Sequence, residues 1–195
     1  MDCGVPYAKL KPYVDVIEFV LLTHIHKDHF NKTSLIKLAI AKPSICFYVC
    51  EWLEEPLMKL GIRHLVVLKL NEPYQLAKNI LVSPFMLYHD VDNCGWRIMI
   101  DRFKIFHATD TVTLDGIEAK NYNLYALEFN HCEEEYKKII EEKRLLNEFC
   151  YELGAMNSHL SFEKAAQFIK ENATKEHIVL KLHISSRYKG ELNET

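Results

Sequence analysis

Thr23-His24-Ile25-His26-Lys27-Asp28-His29 is the stretch on which the reading of this chain turns. Three histidines and an aspartate fall within six residues. The run before them, Val16 to Thr23 (VIEFVLLT), is almost continuously apolar and rich in β-branched and aromatic residues, as in a buried strand. Imidazole and carboxylate are donors suited to zinc, manganese or iron. On a loop leaving a strand, His24 and His26 can converge on one ion, while Asp28 and His29 face a second. The competing reading, a polar turn with surface histidines, is the weaker one for so dense a cluster.

Outward from that loop, short apolar runs alternate with turn residues. Thr33 to Ala41 has helical spacing and Pro43 stops it. Ile45 to Val49 and Leu65 to Leu70 read as strands, and Glu51 to Leu60 as a helix closed by Gly61. Ile80 to Tyr88, Gly95 to Ile100 and Lys104 to His107 read as a β-meander, with Asp101-Arg102 as a tight turn. Tyr122 to Phe129 and His177 to His183 are expected strands. Glu133 to Leu153 reads as one long charged helix ending at Gly154, and Ser161 as the N-cap of a helix through Asn172. Helices between some strands and hairpins between others suit an α/β (α+β) sandwich better than a doubly wound sheet. Neither GxGxxG nor GxxxxGK[ST] occurs, so a nucleotide-cofactor reading lacks its phosphate loop.

The 195 residues fit a single domain, 1–195, large enough to fold without a staple. With 24 Lys and Arg against 27 Asp and Glu, the net charge of -3 disfavours a strongly basic nucleic-acid binder. The six cysteines are scattered, form no CxxC pair and follow no signal peptide, so they read as reduced thiols. Apolar stretches fall short of a membrane span. A soluble, cytoplasmic protein without membrane contact is expected.

Five segments together resemble the metallo-β-lactamase superfamily of dinuclear metallohydrolases. Asp2 in Met1-Asp2-Cys3-Gly4 resembles the first motif, whose aspartate supports the metal loop. THIHKDH is the second. His89 in Leu87-Tyr88-His89-Asp90, Asp110 in Ala108-Thr109-Asp110-Thr111, and His183 in Lys181-Leu182-His183-Ile184 resemble the third, fourth and fifth. The resemblance covers essentially the whole chain, and the order and spacing of the motifs carry it. Two branches are most similar. FMLYHDVDNCGW (Phe85 to Trp96), Leu127-Glu128-Phe129-Asn130-His131 and Ser158-His159-Leu160-Ser161 resemble the WalJ-type exonucleases, and the tail HISSRY resembles the last motif of ribonuclease Z.

The resemblance implies the αββα four-layer sandwich of that superfamily. It implies two divalent metal ions, zinc or manganese, the first held by His24, His26 and His89 and the second by Asp28, His29 and His183, with Asp110 between them. The implied reaction is hydrolysis by a metal-bridging hydroxide, with DNA or RNA as the substrate. His131 and His159 are the candidate proton donors to the leaving oxygen, each with a plainer alternative as a cap or a loop hydrogen bond. Asp90 is a candidate to orient a ligand, and Ser185 and Arg187 to contact phosphate. His64, His107 and His177 carry no motif and read as structural or surface residues. The mixed charges of the Glu133 to Leu153 segment read as a solvated face.

In the superfamily the first-motif aspartate follows two or more strands; here it is the second residue. The first N-terminal strands are therefore expected to be lacking, and the exposed sheet edge invites a homodimer. The negative net charge leaves a second enzymatic reading, a hydrolase of small esters, thioesters, lactones or cyclic phosphodiesters. A third reading is a catalytically inactive metal-binding accessory protein, which the complete set of candidate ligands argues against.

Overall fold

The structure, a computed structural model, describes residues 1–188, the side chain of Arg187 excepted. Strands β1 (Phe19–Leu21), β2 (Cys46–Val49) and β3 (Leu65–Val67) form a parallel sheet in that order. Val20 lies opposite Phe47 and Tyr48 opposite Val66. Parallel neighbours need crossover connections. Ahead of the sheet lie α1 (Tyr7–Leu10) and a 3-10 turn over Lys11–Val16. Helix α2 (Lys32–Ala41) joins β1 to β2; Asn31 caps it by accepting a hydrogen bond from Ser34 N at 3.1 Å. A 3-10 turn over Glu51–Leu53 and α3 (Glu54–Lys59) join β2 to β3.

The second sheet has six strands in sequence order: β4 (Tyr74–Ala77), β5 (Ile80–Leu87), β6 (Asn93–Ile100), β7 (Phe103–Ala108), β8 (Leu124–Glu128) and β9 (Ile178–Leu182). The first three pairings are antiparallel and the last two parallel. It follows that β5, β7, β8 and β9 run the same way, and their C-terminal ends share one edge. The β8–β9 crossover carries α4 (Glu133–Leu145), α5 (Tyr151–Ser158) and α6 (Phe162–Asn172).

Period-two alternation sorts the apolar side chains into three clusters, and these define four layers. Val20, Leu22, Phe47 and Val49 pack under Leu35 and Leu38 of α2 and Leu57 of α3. Leu21, Val82, Cys94, Trp96 and Ile98 fill the space between the sheets. Phe85, Phe106, Tyr125 and Leu127 face Ala165 and Phe168 of α6. The expected helix–sheet–sheet–helix sandwich is what the chain forms. All six cysteines are free thiols, four of them buried. No helix among the described residues is long and apolar enough to cross a membrane.

Several elements differ from their sequence-based bounds. Val16 belongs to the 3-10 turn and is 76% exposed, so β1 starts three residues later than the apolar run suggests. β4 was not expected; its outward residues are half-buried edge positions with little pattern. The segment Glu133 to Leu153 is two helices. Asn147 takes a left-handed φ of 57°, Glu148 N closes on Lys143 O, and the chain reverses. The buried carboxylate of Glu152 then receives Lys143 Nζ at 2.8 Å. Gly154 lies inside α5 and ends nothing.

Candidate metal centre

The loop after β1 is held from behind by the N-terminal residues. Asp2 N donates to Leu21 O and Cys3 N to His29 O, both at 2.8 Å, while His29 N returns to His26 O at 2.9 Å. This puts Gly4 against the loop backbone. A Cβ there would fall 1.5 Å from the Asp28 carbonyl oxygen, so only glycine fits. Gly4→Ala is expected to displace Asp28 and His29, with at least tenfold weaker metal uptake at the Asp28 side; a zinc titration beside the wild type measures it.

Asp2 works through three donors. Its carboxylate accepts from Thr23 N at 2.9 Å, from Thr23 Oγ1 at 3.1 Å and from His29 Nδ1 at 2.8 Å. Since the Thr23 hydroxyl donates to Asp2, its oxygen accepts the proton on His24 Nδ1, 2.9 Å away. That tautomer leaves a bare lone pair on His24 Nε2. The atom is fully buried and has no hydrogen-bond partner. An orphaned imidazole acceptor in the interior is costly unless a cation meets it.

His26 and His89 complete that position. His89 Nδ1 donates to the Ser158 carbonyl at 2.8 Å, which turns Nε2 toward His26 Nδ1, 3.2 Å away. Ligand atoms of His24, His26 and His89 lie within 4.8 Å of one another. The same holds for Asp28, His29 and His183, and for His24, His29 and Asp110. Asp110 therefore stands between the two groups. Its Oδ2 is 2.9 Å from His29 Nε2 and its Oδ1 3.3 Å from His183 Nε2. Asp28 Oδ2 is 3.2 Å from His183 Nε2. Donor types and convergence fit metal binding, with the second nitrogens of His29, His89 and His183 held by Asp2, the Ser158 carbonyl and Glu128.

Electrostatics reflect the same packing. Burial pulls the His29 pKa down, but hydrogen bonds to Asp110 and Asp2 outweigh it and push the group up to about 10. Burial likewise opposes Glu128, Asp110 and Asp28 at His183, which rises to about 9. At His24 burial outweighs the nearby Asp110 and Asp2 charges and takes the group down to about 4. Burial raises Asp110, yet His29 and His183 hold its carboxyl well below the usual range.

Glu128 was not singled out in the sequence, although its motif was quoted. It is fully buried at the end of β8. Oε1 accepts from His159 Nδ1 at 2.6 Å and lies 3.2 Å from His183 Nδ1; Oε2 accepts from Thr111 N and Leu160 N, both at 3.1 Å. One carboxylate thus orients two histidines. An acid surrounded by apolar residues of a strand leaves no periodic signal, so only its partners reveal it.

Most expected site residues come together: Asp2, His24, His26, Asp28, His29, His89, Asp110, His159 and His183. Asp90 Oδ1 lies 3.0 Å from His89 Nε2 and 3.6 Å from His26 Nε2, on the open side. His131, the other candidate proton donor, is not brought into the cluster of ligand groups. It is buried, stacks on Tyr136 with ring centroids 4.7 Å apart, and belongs to none of the ligand groups. Its backbone instead bridges to the start of α6, with Phe162 N donating to His131 O at 2.8 Å. Ser185 Oγ accepts from Tyr136 OH at 3.3 Å and belongs to none of the ligand groups. The Arg187 side chain lies outside the described residues.

A family model described as "Beta-lactamase superfamily domain" matches residues 3–184. No curated protein matches the chain. Among solved structures, the metallo-beta-lactamase fold protein YhfI from Bacillus subtilis is similar at 19% identity and a TM-score of 0.72, covering 94% of this chain and 72% of that one. Human tRNase Z, short form, is similar at 21% identity and 0.67, covering 96% and 81%. Zn(2+)-bound PqqB from Methylobacterium extorquens is similar at 12% identity and 0.63, covering 86% and 62%. At these identities the likeness concerns the fold.

Proposed function

Because the chain belongs to the beta-lactamase superfamily domain family, a superfamily of metal-dependent hydrolases, we propose that it is a dinuclear phosphodiesterase that cleaves DNA or RNA. Two divalent ions, zinc or manganese, would be held by His24, His26 and His89 and by Asp28, His29 and His183, with Asp110 facing both. Bound there, such ions would supply Lewis-acid chemistry, lowering the pKa of a water and neutralising charge on a phosphoryl group.

The observation that carries the reading is the pair His159–Glu128 beside Asp110. Phosphodiester cleavage expels an alkoxide, which needs a proton. Glu128 fixes the His159 ring by taking its Nδ1 hydrogen bond at 2.6 Å, and Nδ1 is 3.4 Å from Asp110 Oδ1. The other ring nitrogen, Nε2, is then the one that exchanges a proton with the leaving oxygen. Asp2 and Ser158 O keep His29 and His89 in their ligating orientation throughout.

One observation favours the smaller-substrate reading. Asp90, with its side chain 60% exposed, puts negative charge at the mouth, which repels a polyanion. The test is a panel of bis-p-nitrophenyl phosphate, labelled DNA and RNA, and p-nitrophenyl ester, thioester and lactone substrates, before and after chelation. Phosphodiester cleavage lost on chelation and restored by zinc or manganese is the expected result. Turnover of esters or lactones alone overturns the nuclease reading.

A further inference from the structure

Among the described residues, seven non-glycine residues take a left-handed φ. Asn71, Asp101, Asn121 and Asn147 do so in tight turns, where such backbone is ordinary for Asn and Asp. The other three are Asp2, Asp110 and His183, with φ of 52°, 54° and 50°, and all three belong to the candidate centre. A non-glycine residue in this region is strained, and it stays there only where its surroundings hold it. Asp2 is held by its own N–H, which donates to Leu21 O at 2.8 Å. Asp110 and His183 follow the ends of β7 and β9, and each has a buried asparagine on its carbonyl.

Asn93 opens β6 and is fully buried. Its amide nitrogen donates to Thr109 O at 3.0 Å and to Asp110 O at 2.7 Å, one hydrogen for each carbonyl. Its own carbonyl oxygen, Oδ1, is buried without a hydrogen-bond partner. A bare buried acceptor is costly, so what this side chain contributes is its two donors. Asn130 lies two residues beyond β8 and acts in the same way at the second strand end. Its amide nitrogen donates to His183 O at 3.1 Å. Its backbone is fixed on both sides, with Asn130 N donating to Leu160 O at 3.0 Å and Ser185 N donating to Asn130 O at 3.2 Å.

We propose that Asn93 and Asn130 are positioning residues of the centre. Each clamps the carbonyl of a left-handed residue, and so turns the Asp110 carboxylate and the His183 imidazole into the ligand groups. Continued strand geometry would send successive side chains to alternate faces of the sheet, and the left-handed step breaks that alternation where the strand ends. Two donors from one rigid, buried amide hold the step at Asp110 before any ion arrives. This role rests on the two-ion reading of the site and extends it from the ligands to the residues that set their backbone.

The test compares Asn93→Leu and Asn130→Leu, which keep the side-chain volume and remove the amide, with Asn172→Leu as a control. Asn172 is as deeply buried as Asn130 and as fully bonded, with Ala119 N on its Oδ1 and its Nδ2 on Phe168 O. It sits at the other end of β8 from Glu128, where its carbonyl accepts from Asn121 N. Backbone chemical shifts of the metal-free proteins report φ at residues 110 and 183, and cobalt(II) titration reports the metal positions. Asn93→Leu should take Asp110 out of the left-handed region and weaken cobalt binding roughly 10–100-fold. Asn130→Leu should do the same at His183, with the ion at His24, His26 and His89 kept. Asn172→Leu should lower the melting temperature and leave both φ values and cobalt affinity as in the wild type. Left-handed φ or wild-type cobalt affinity in either folded clamp variant overturns the proposal. So does an equal loss of cobalt binding in Asn172→Leu, the mark of a general loss of packing. A wild type that binds no cobalt fails the metal reading instead, and the shifts then decide the clamp by themselves. Asn130→Leu carries the test should Asn93→Leu fail to fold.

Discussion

His159→Ala is expected to slow cleavage of a dinucleotide by about 10²–10⁴-fold while bis-p-nitrophenyl phosphate is cleaved nearly as fast as before. The reason lies in the leaving group. A nucleoside alkoxide is strongly basic and needs a proton as the bond breaks, whereas p-nitrophenolate leaves without help. His159 belongs to neither of the two groups assigned to the ions, so metal content should stay at the wild-type value in the same preparation. A merely structural role predicts something else, an equal loss on both substrates together with lost metal. Glu128→Gln should reproduce the selective loss and add a metal defect, because Glu128 Oε1 also lies 3.2 Å from His183 Nδ1. Equal activity of His159→Ala on the dinucleotide would sink the proton-donor assignment.

Asp110→Asn should lower phosphodiester cleavage roughly 10³-fold or more and reduce the bound metal to at most one ion per chain. Among the described residues Asp110 is the one carboxylate that shares ligand groups with His24 and His29 and also with His183. The substitution also changes how metal uptake responds to pH. In the metal-free protein His29 is raised to about 10 and His183 to about 9, so each gives up a proton when it ligates. Affinity therefore rises with pH, by up to about a hundredfold per unit while both are protonated, and levels off only above those values. Hydrogen bonding to Asp110 is the leading favourable cause at His29, and its charge contributes at His183. Removing that charge brings both groups down toward the ordinary histidine value near 6.5, and the dependence flattens at a lower pH. Zinc titrations of the two proteins across pH 6 to 9 measure the difference. Two ions bound with an unchanged pH slope would show that Asp110 does not bridge the groups.

By itself the sequence determined the elements whose signals are local. Alternation marked β5 to β7, the Ser161 side chain marks the start of α6, and Asp101 turns between β6 and β7 with a φ of 54°. The spacing in His24 to His29 put four donors on one loop because neighbouring residues of a tight turn cannot separate. The similarity of motif order then named the distant partners His89, Asp110 and His183. The tertiary structure decided the rest. His183 reaches Asp28 across 155 residues only because β9 lies parallel beside β8 and ends on the same edge as β5 and β7. That edge also separated two histidines alike in sequence: His159 follows α5 into the Glu128 carboxylate, while His131 turns under Tyr136. The split of α4 from α5 and the pairing of Lys143 with the buried Glu152 escaped the sequence because one left-handed residue, Asn147, outweighs the helical propensity on both sides. Side-chain direction at the end of a strand depends on what packs behind it, and residues far away in the chain set that packing.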